Sequence, residues 1–235
     1  MSSTQIFRTA VLLDIDGTLV ESNYLHVDAW DRAFVAVGHP VDVWRIHRAI
    51  GMDSEELLNT LLGPAASELG DVAKNKHSDF YLASTDRLRT IPGAAELLAH
   101  LHDRGHAVVL ATSAPADELK VLRAVINADS SIDAATSSED VETAKPEPDI
   151  VKTALDMVAV SPDRAVMVGD SVWDVHAASR AGVACIGLLS GGFGEDELVA
   201  AGAAAVYENV ADLLRLLPDS PIARVLESTD PSDSH

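Results

Sequence analysis

The 235-residue chain is poor in several things at once. It has a single cysteine, Cys185, so no internal disulfide can form. Its apolar setting in "VACIGLL" predicts a small core residue in a reducing compartment. Aromatic residues make up 4% of the chain while hydrophobic residues reach 47%, so aliphatic and alanine side chains must build the core. That composition suits helices packed on a parallel sheet. No apolar run is long enough to span a bilayer, and the opening "MSSTQIFRTA" lacks the apolar stretch of a signal peptide. The expectation is a cytoplasmic protein without membrane contact. Positive charge is also scarce: 17 basic residues stand against 37 acidic ones, a net charge of −20 with five lysines in all. A surface of that sign repels a phosphate backbone and excludes nucleic acid as a partner. An anionic substrate would need a local cation, either a metal ion or one of the few lysines.

What is present is an alternation. Short apolar runs at 10–15 (AVLLDI), 106–112 (HAVVLAT), 132–136 (IDAAT), 164–170 (RAVMVGD), 184–189 (ACIGLL) and 204–208 (AAVYE) read as strands. Between them, apolar residues spaced three and four apart mark helices, as in Ala94/Leu97/Leu98/Leu101 and Val151/Ala154/Leu155/Val158. The alternation predicts an α/β fold, a Rossmann-like doubly wound parallel sheet with helices on both faces. The region after the first strand departs from the rule. It has helical stripes such as Val27/Trp30/Phe34 and Leu57/Leu58/Leu61/Leu62 and no clear strand, with Trp30 and Trp44 read as its core. It therefore reads as a helical insertion over the carboxyl end of the sheet, where open α/β folds bind ligands. The expected division is a core over 1–19 and 90–217, a helical cap over 20–89, and a disordered Pro/Ser/Asp-rich tail over 218–235.

Carboxylates cluster at strand ends. Asp14 and Asp16, two apart at the mouth of the first strand, can point to one side. A turn explains Asp16-Gly17, but not a second aspartate closing an apolar strand. Asp170 and Asp174 repeat the design in "VGDSVWD", although Asp170 alone would also suit a helix N-cap. Convergent carboxylates suit a hard cation such as Mg²⁺, which would offset their buried charge. Thr112 and Ser113 offer hydroxyl and backbone donors just ahead of a helix, and Lys145 lies in a loop before the next one.

The order DIDGT, Thr112, Lys145, GDSVWD resembles the haloacid dehalogenase superfamily of phosphohydrolases. The likeness runs from Val11 to about Leu217 and points to its phosphoglycolate phosphatase and β-phosphoglucomutase-like members with a C1-type cap. It implies Asp14 as nucleophile, forming an aspartyl-phosphate, and Asp16 as the acid and base for the leaving oxygen and the water. It implies Mg²⁺ held by Asp14, the backbone carbonyl of Asp16, and Asp170, with Asp174 behind them. Thr112, Ser113 and Lys145 would bind the phosphoryl oxygens. Dehalogenases lack an acid at the position of Asp16, so phosphate chemistry is favoured. His26 in "ESNYLHVDAW" is similar to the cap histidine of β-phosphoglucomutases and would approach Asp16; otherwise it is a helix-surface histidine. The mutases carry an arginine after a cap glycine, whereas Gly51 here is followed by Met52, Asp53 and Ser54. The expected activity is therefore hydrolysis of a small phosphorylated metabolite. A phosphohexomutase and a catalytically silent binding protein on the same fold are the alternatives.

Overall fold

The computed structural model describes residues 7–140 and 145–227. The chain opens with β1 (Ala10–Leu13) and β2 (Val20–Glu21), followed by α1 (Asn23–Ala36), α2 (Val43–Ala49), α3 (Ser54–Leu62) and α4 (Ala66–Leu82). Next come β3 (Arg89–Thr90), α5 (Ala94–Asp103), β4 (Ala107–Leu110), α6 (Ala116–Ile126) and β5 (Ala134–Ala135). The last third holds α7 (Asp149–Val158), β6 (Ala165–Gly169), α8 (Val172–Arg180), β7 (Ala184–Leu188), α9 (Glu195–Ala201), β8 (Ala205–Tyr207), α10 (Val210–Arg215) and α11 (Pro221–Glu227).

Six strands form one sheet in the order β5-β4-β1-β6-β7-β8, and every neighbouring pair is parallel. β1 lies near the centre, buried on both faces. Val11 and Leu13 join α5, α6 and α10 in one apolar cluster, while Ala10 and Leu12 join α7, α8 and α9 in another. This two-sided burial is why the strand reads as an unbroken apolar run. The order changes direction at β1, so the ends of β1, β4 and β6 open together on the crevice where such sheets take ligands.

The insertion gathers around its own apolar cluster, with Val27, Trp30 and Phe34 of α1 meeting Ile46, Leu57, Leu58, Leu61 and Ala73. Two differences from the sequence reading stand out here. β2 and β3 pair as a short antiparallel ribbon at the base of the insertion, Val20 against Thr90 and Glu21 against Arg89. Two residues per strand are too few to show an alternating pattern, so only the chain's return reveals the pairing. Trp44, read as cap core alongside Trp30, is 68% exposed, whereas Trp30 is buried.

The expectation of disorder from residue 218 also needs correction. Pro221–Glu227 form a helix whose Ile222 is buried in the β1-facing cluster. A polar composition does not prevent one apolar side chain from docking a short helix. Residues 228–235 of that stretch, and the first six residues of the chain, lie outside those described. Among the described residues, no helix is long and apolar enough to cross a membrane.

Candidate active site

The backbone turns sharply after β1. The N–H groups of Thr18, Leu19 and Val20 all converge on the carbonyl of Ile15, and Gly17 takes φ +75°. A side chain on Gly17 would also lie 2.3 Å from Asn23 Nδ2 and 2.5 Å from Asp170 Oδ2, so glycine is required twice over. The turn brings Asp14 and Asp16 to the lining of one cavity. Asp14 stays anchored to the sheet through its N–H to the Val168 carbonyl, 2.9 Å away.

At the end of β6, Asp170 is buried and receives Thr18 Oγ1 at 3.0 Å and Asn23 Nδ2 at 2.9 Å. Ser171 caps α8 in a reciprocal box with Asp174, whose Oδ2 accepts the Ser171 N–H at 3.0 Å and hydroxyl at 2.6 Å. Asp174 Oδ1 pairs with Lys145 Nζ at 2.7 Å, and the same ammonium bonds the Asp14 carboxylate. Gly191, in the loop after β7, packs so closely that a Cβ there would sit 1.7 Å from Asp170 Oδ2.

Carboxylate oxygens of Asp14, Asp170 and Asp174 lie within 4.8 Å of one another. Burial pushes Asp14 up to about 7 despite the pull of Lys145, with Asp174 and Asp16 adding to the rise. Asp170 is driven well above the usual carboxylate range by burial and by the neighbouring carboxylates Asp174 and Asp14. Burial opposes charge on Lys145, but Asp14 and Asp174 overcome it and hold the ammonium protonated. Ionised together, the three carboxylates against one ammonium would leave two negative charges to be matched, and the raised pKa values of Asp14 and Asp170 express that excess. Asn23 Oδ1 is buried with no hydrogen-bond partner among the described residues, a further oxygen beside Asp170. An all-oxygen donor set carrying that charge fits one hard divalent cation.

Thr112 closes the crevice from β4. Its N–H donates to Thr136 Oγ1 at 3.0 Å, and its own Oγ1 accepts the Ala114 N–H at 3.1 Å, which leaves its hydroxyl hydrogen to offer. Ser113 lines the same cavity, of about 350 Å³, along with Asp14, Asp16, Lys145 and Asp170.

The Asp16 side chain turns toward the cap. Its Oδ1 accepts the Ser22 hydroxyl and lies 3.4 Å from His26 Nε2. His26 is buried, not on the helix surface. It stacks on Tyr81 with ring centroids 4.0 Å apart, and its Nδ1 meets His77 Nε2 at 3.1 Å. His26 Nε2 is also 3.4 Å from Glu118 Oε1 on α6. Burial would lower the His26 pKa, but Asp16 and Glu118 together raise it. Burial raises Asp16 as well, yet the hydrogen bond and charge of His26, with Ser22, bring it below its usual value. Burial holds His77 neutral, well below the usual imidazole range.

Glu118, His77 and Asn23 were missed in the sequence. Glu118 reads there as an ordinary acidic residue in a first helical turn, and nothing local marks it as buried against a residue 92 positions earlier. The cap also touches the core at the site itself. The Asp53 N–H donates to the Lys145 carbonyl at 3.0 Å, His47 Nε2 to the Gly191 carbonyl at 3.0 Å, and Arg48 pairs with Glu197.

Comparison with known proteins follows the same lines. The profile of haloacid dehalogenase-like hydrolases matches residues 9–182. Validoxylamine A 7'-phosphate phosphatase of Streptomyces hygroscopicus subsp. limoneus is 28% identical over 76% of this chain and 84% of its own. A phosphoglycolate phosphatase of Rhodospirillum rubrum is 29% identical over 87% of this chain and 88% of its own. The crystal structure of a hydrolase from Pseudomonas syringae superposes with a TM-score of 0.85 at 34% identity, covering 90% of this chain and 99% of that one. With the profile spanning most of its length and carboxylates gathered at the ends of β1 and β6, this chain belongs to the haloacid dehalogenase-like hydrolases.

Proposed function

We propose that the protein is a Mg²⁺-dependent phosphatase that hydrolyses a small phosphate monoester through an aspartyl-phosphate on Asp14. One observation carries this reading: Asp14 is joined to Lys145 beside Asp170 at the floor of a cavity, while Asp16, two residues on, is held separately by Ser22 and His26.

The residues divide the work. An Asp14 carboxylate oxygen attacks phosphorus as the bond to the leaving oxygen breaks. Asp16, ionised in the resting site, takes up a proton as the anionic ester binds beside it and gives that proton to the leaving oxygen. Its Oδ1 is committed to Ser22 and His26, which leaves Oδ2 for the transfer. Water then attacks the phosphorus of the aspartyl-phosphate, Asp16 takes the proton back, and inorganic phosphate and free Asp14 result. Lys145, the Thr112 hydroxyl and the Ser113 N–H hold the phosphoryl oxygens as charge spreads over them. Asp14, Asp170 and the Asp16 backbone carbonyl would hold the Mg²⁺, which supplies the positive charge that lets an anionic ester approach a carboxylate. Asp174, with one oxygen on Ser171 and the other on Lys145, orients the lysine.

The names of the relatives, phosphatases of validoxylamine A 7'-phosphate and of phosphoglycolate, support a monoester substrate. The cap stretch facing the cavity offers Met52, Asp53 and Ser54 where a mutase would place an arginine, which favours hydrolysis over phosphoryl return. Release of inorganic phosphate from a panel of small monoesters, with and without Mg²⁺, tests the reading. If Mg²⁺ produces no turnover across such a panel, the protein is a binding protein on this fold.

A further inference from the structure

Two buried cations border the cavity, and each is already matched by two carboxylates. Lys145 is held by Asp14 and Asp174. His26 is held by Asp16 and Glu118, both at 3.4 Å. His77 is neutral, for the reason given above. Lys74 also lines the cavity, but it is exposed and shares the rim with the equally exposed Glu55. Apart from the groups assigned to the phosphoryl and metal sites, the cavity lining therefore presents Glu118 and half-buried Asp53 as carboxylates, with no buried cation left unmatched among the described residues.

Resting on the phosphatase reading above, we infer that the leaving group carries no negative charge and that the substrate is a phosphate monoester of a neutral or amine-bearing polyol. A carboxylate or second phosphate on the leaving group would find no counter-charge there: Asp53 is acidic, and Glu118 either pairs with His26 or keeps its proton, because burial raises it to about 7. Hydroxyl groups meet the opposite reception. Glu118 and Asp53 accept hydrogen bonds, and the hydroxyls of Ser54 and Ser78 on the same wall both donate and accept. A protonated amine gains further from the two carboxylates. The neutral substrate pairs the site's acceptors, while an acidic analogue leaves them opposed, and this difference sets specificity.

The sharpest test uses two esters that differ only where the wall would read them. Glycerol 3-phosphate and 3-phosphoglycerate share a three-carbon frame and exchange a CH₂OH for a carboxylate. With the full chain and saturating Mg²⁺, kcat/KM is expected to favour glycerol 3-phosphate by about tenfold or more, with glucosamine 6-phosphate also preferred over phosphoglycolate. Glu118→Gln, which frees His26 from one of its two carboxylates, is expected to narrow the glycerol 3-phosphate to 3-phosphoglycerate ratio at least about threefold. The ratio does not depend on how much of the variant is folded. Equal or better turnover of the acidic esters overturns the inference and leaves the phosphatase reading standing. Discrimination that Glu118→Gln leaves intact overturns the role given to Glu118. Failure to hydrolyse any of these esters, or p-nitrophenyl phosphate, removes the phosphatase reading and the inference together.

Discussion

The Nζ of Lys145 lies 2.7 Å from Oδ1 of Asp174, and the same ammonium bonds the Asp14 carboxylate, so one side chain ties the loop before α7 to the ends of β1 and β6. Asp174 is also anchored by Ser171, so Lys145 keeps a fixed carboxylate partner when Asp14 is neutralised.

Asp14→Asn keeps the shape of the side chain and its N–H bond to Val168, but removes the nucleophilic charge. Turnover is expected to fall about a thousandfold or more with the thermal midpoint nearly unchanged. Phosphate release that persists at a tenth of the normal rate would remove Asp14 from the role of nucleophile.

Lys145→Met leaves two buried carboxylates facing each other without their shared cation. Breaking a buried pair in this way costs about 3–5 kcal/mol. Denaturant titration of the metal-free protein should show a lower midpoint in the variant. An unchanged midpoint would mean that the ion pairs contribute nothing to the fold.

Gly191→Ala forces a methyl group into Asp170, because the added carbon would sit 1.7 Å from Oδ2 and 2.7 Å from the aspartate Cβ. Asp170 must turn away. The Mg²⁺ concentration for half-maximal activity is expected to rise about tenfold, read from a metal titration of the rate. An unaltered metal requirement would place Asp170 outside the metal site.

His106 titrates far from these groups. It is buried beside Thr9 with its Nδ1 2.6 Å from the hydroxyl, and burial, then Arg104 and His100, hold its pKa below 6.5. Between that depressed value and 6.5 the unfolded chain binds more protons than the folded one, so this residue's contribution to stability falls as pH drops through that window. The raised carboxylates Asp14 and Glu118 act in the opposite sense, since the folded state holds their protons longer. The difference between the wild type and His106→Asn isolates the histidine. Urea midpoints taken at pH 7.5 and 5.5 should drop more in the wild type; parallel slopes would show that His106 is protonated as easily folded as unfolded.

The residues at strand ends could be read from the sequence because their environment is local. An acid that closes an apolar run, or a Gly-Asp before a helix, carries its own signal, and Asp14, Asp16, Asp170 and Lys145 do line one cavity. The six strands were legible for the same reason, as runs buried on both faces. Groups whose meaning comes from across the fold gave no such signal. Glu118 is buried only because α1 of the cap comes down beside α6, and His77 faces His26 only because α4 packs along α1. Trp44 and the β2–β3 ribbon went astray in the opposite way. A large apolar residue on a short helix implies burial that this helix does not supply, and paired strands of two residues each have no period to detect.

The hydrogen bond from the Asp53 N–H to the carbonyl of Lys145 has a mechanical consequence. The cap grips the backbone of the very residue whose ammonium steadies Asp14, so any displacement of the Asp53 segment must either break that grip or tug the lysine loop. The position of the cap and the position of Lys145 are thus mechanically linked.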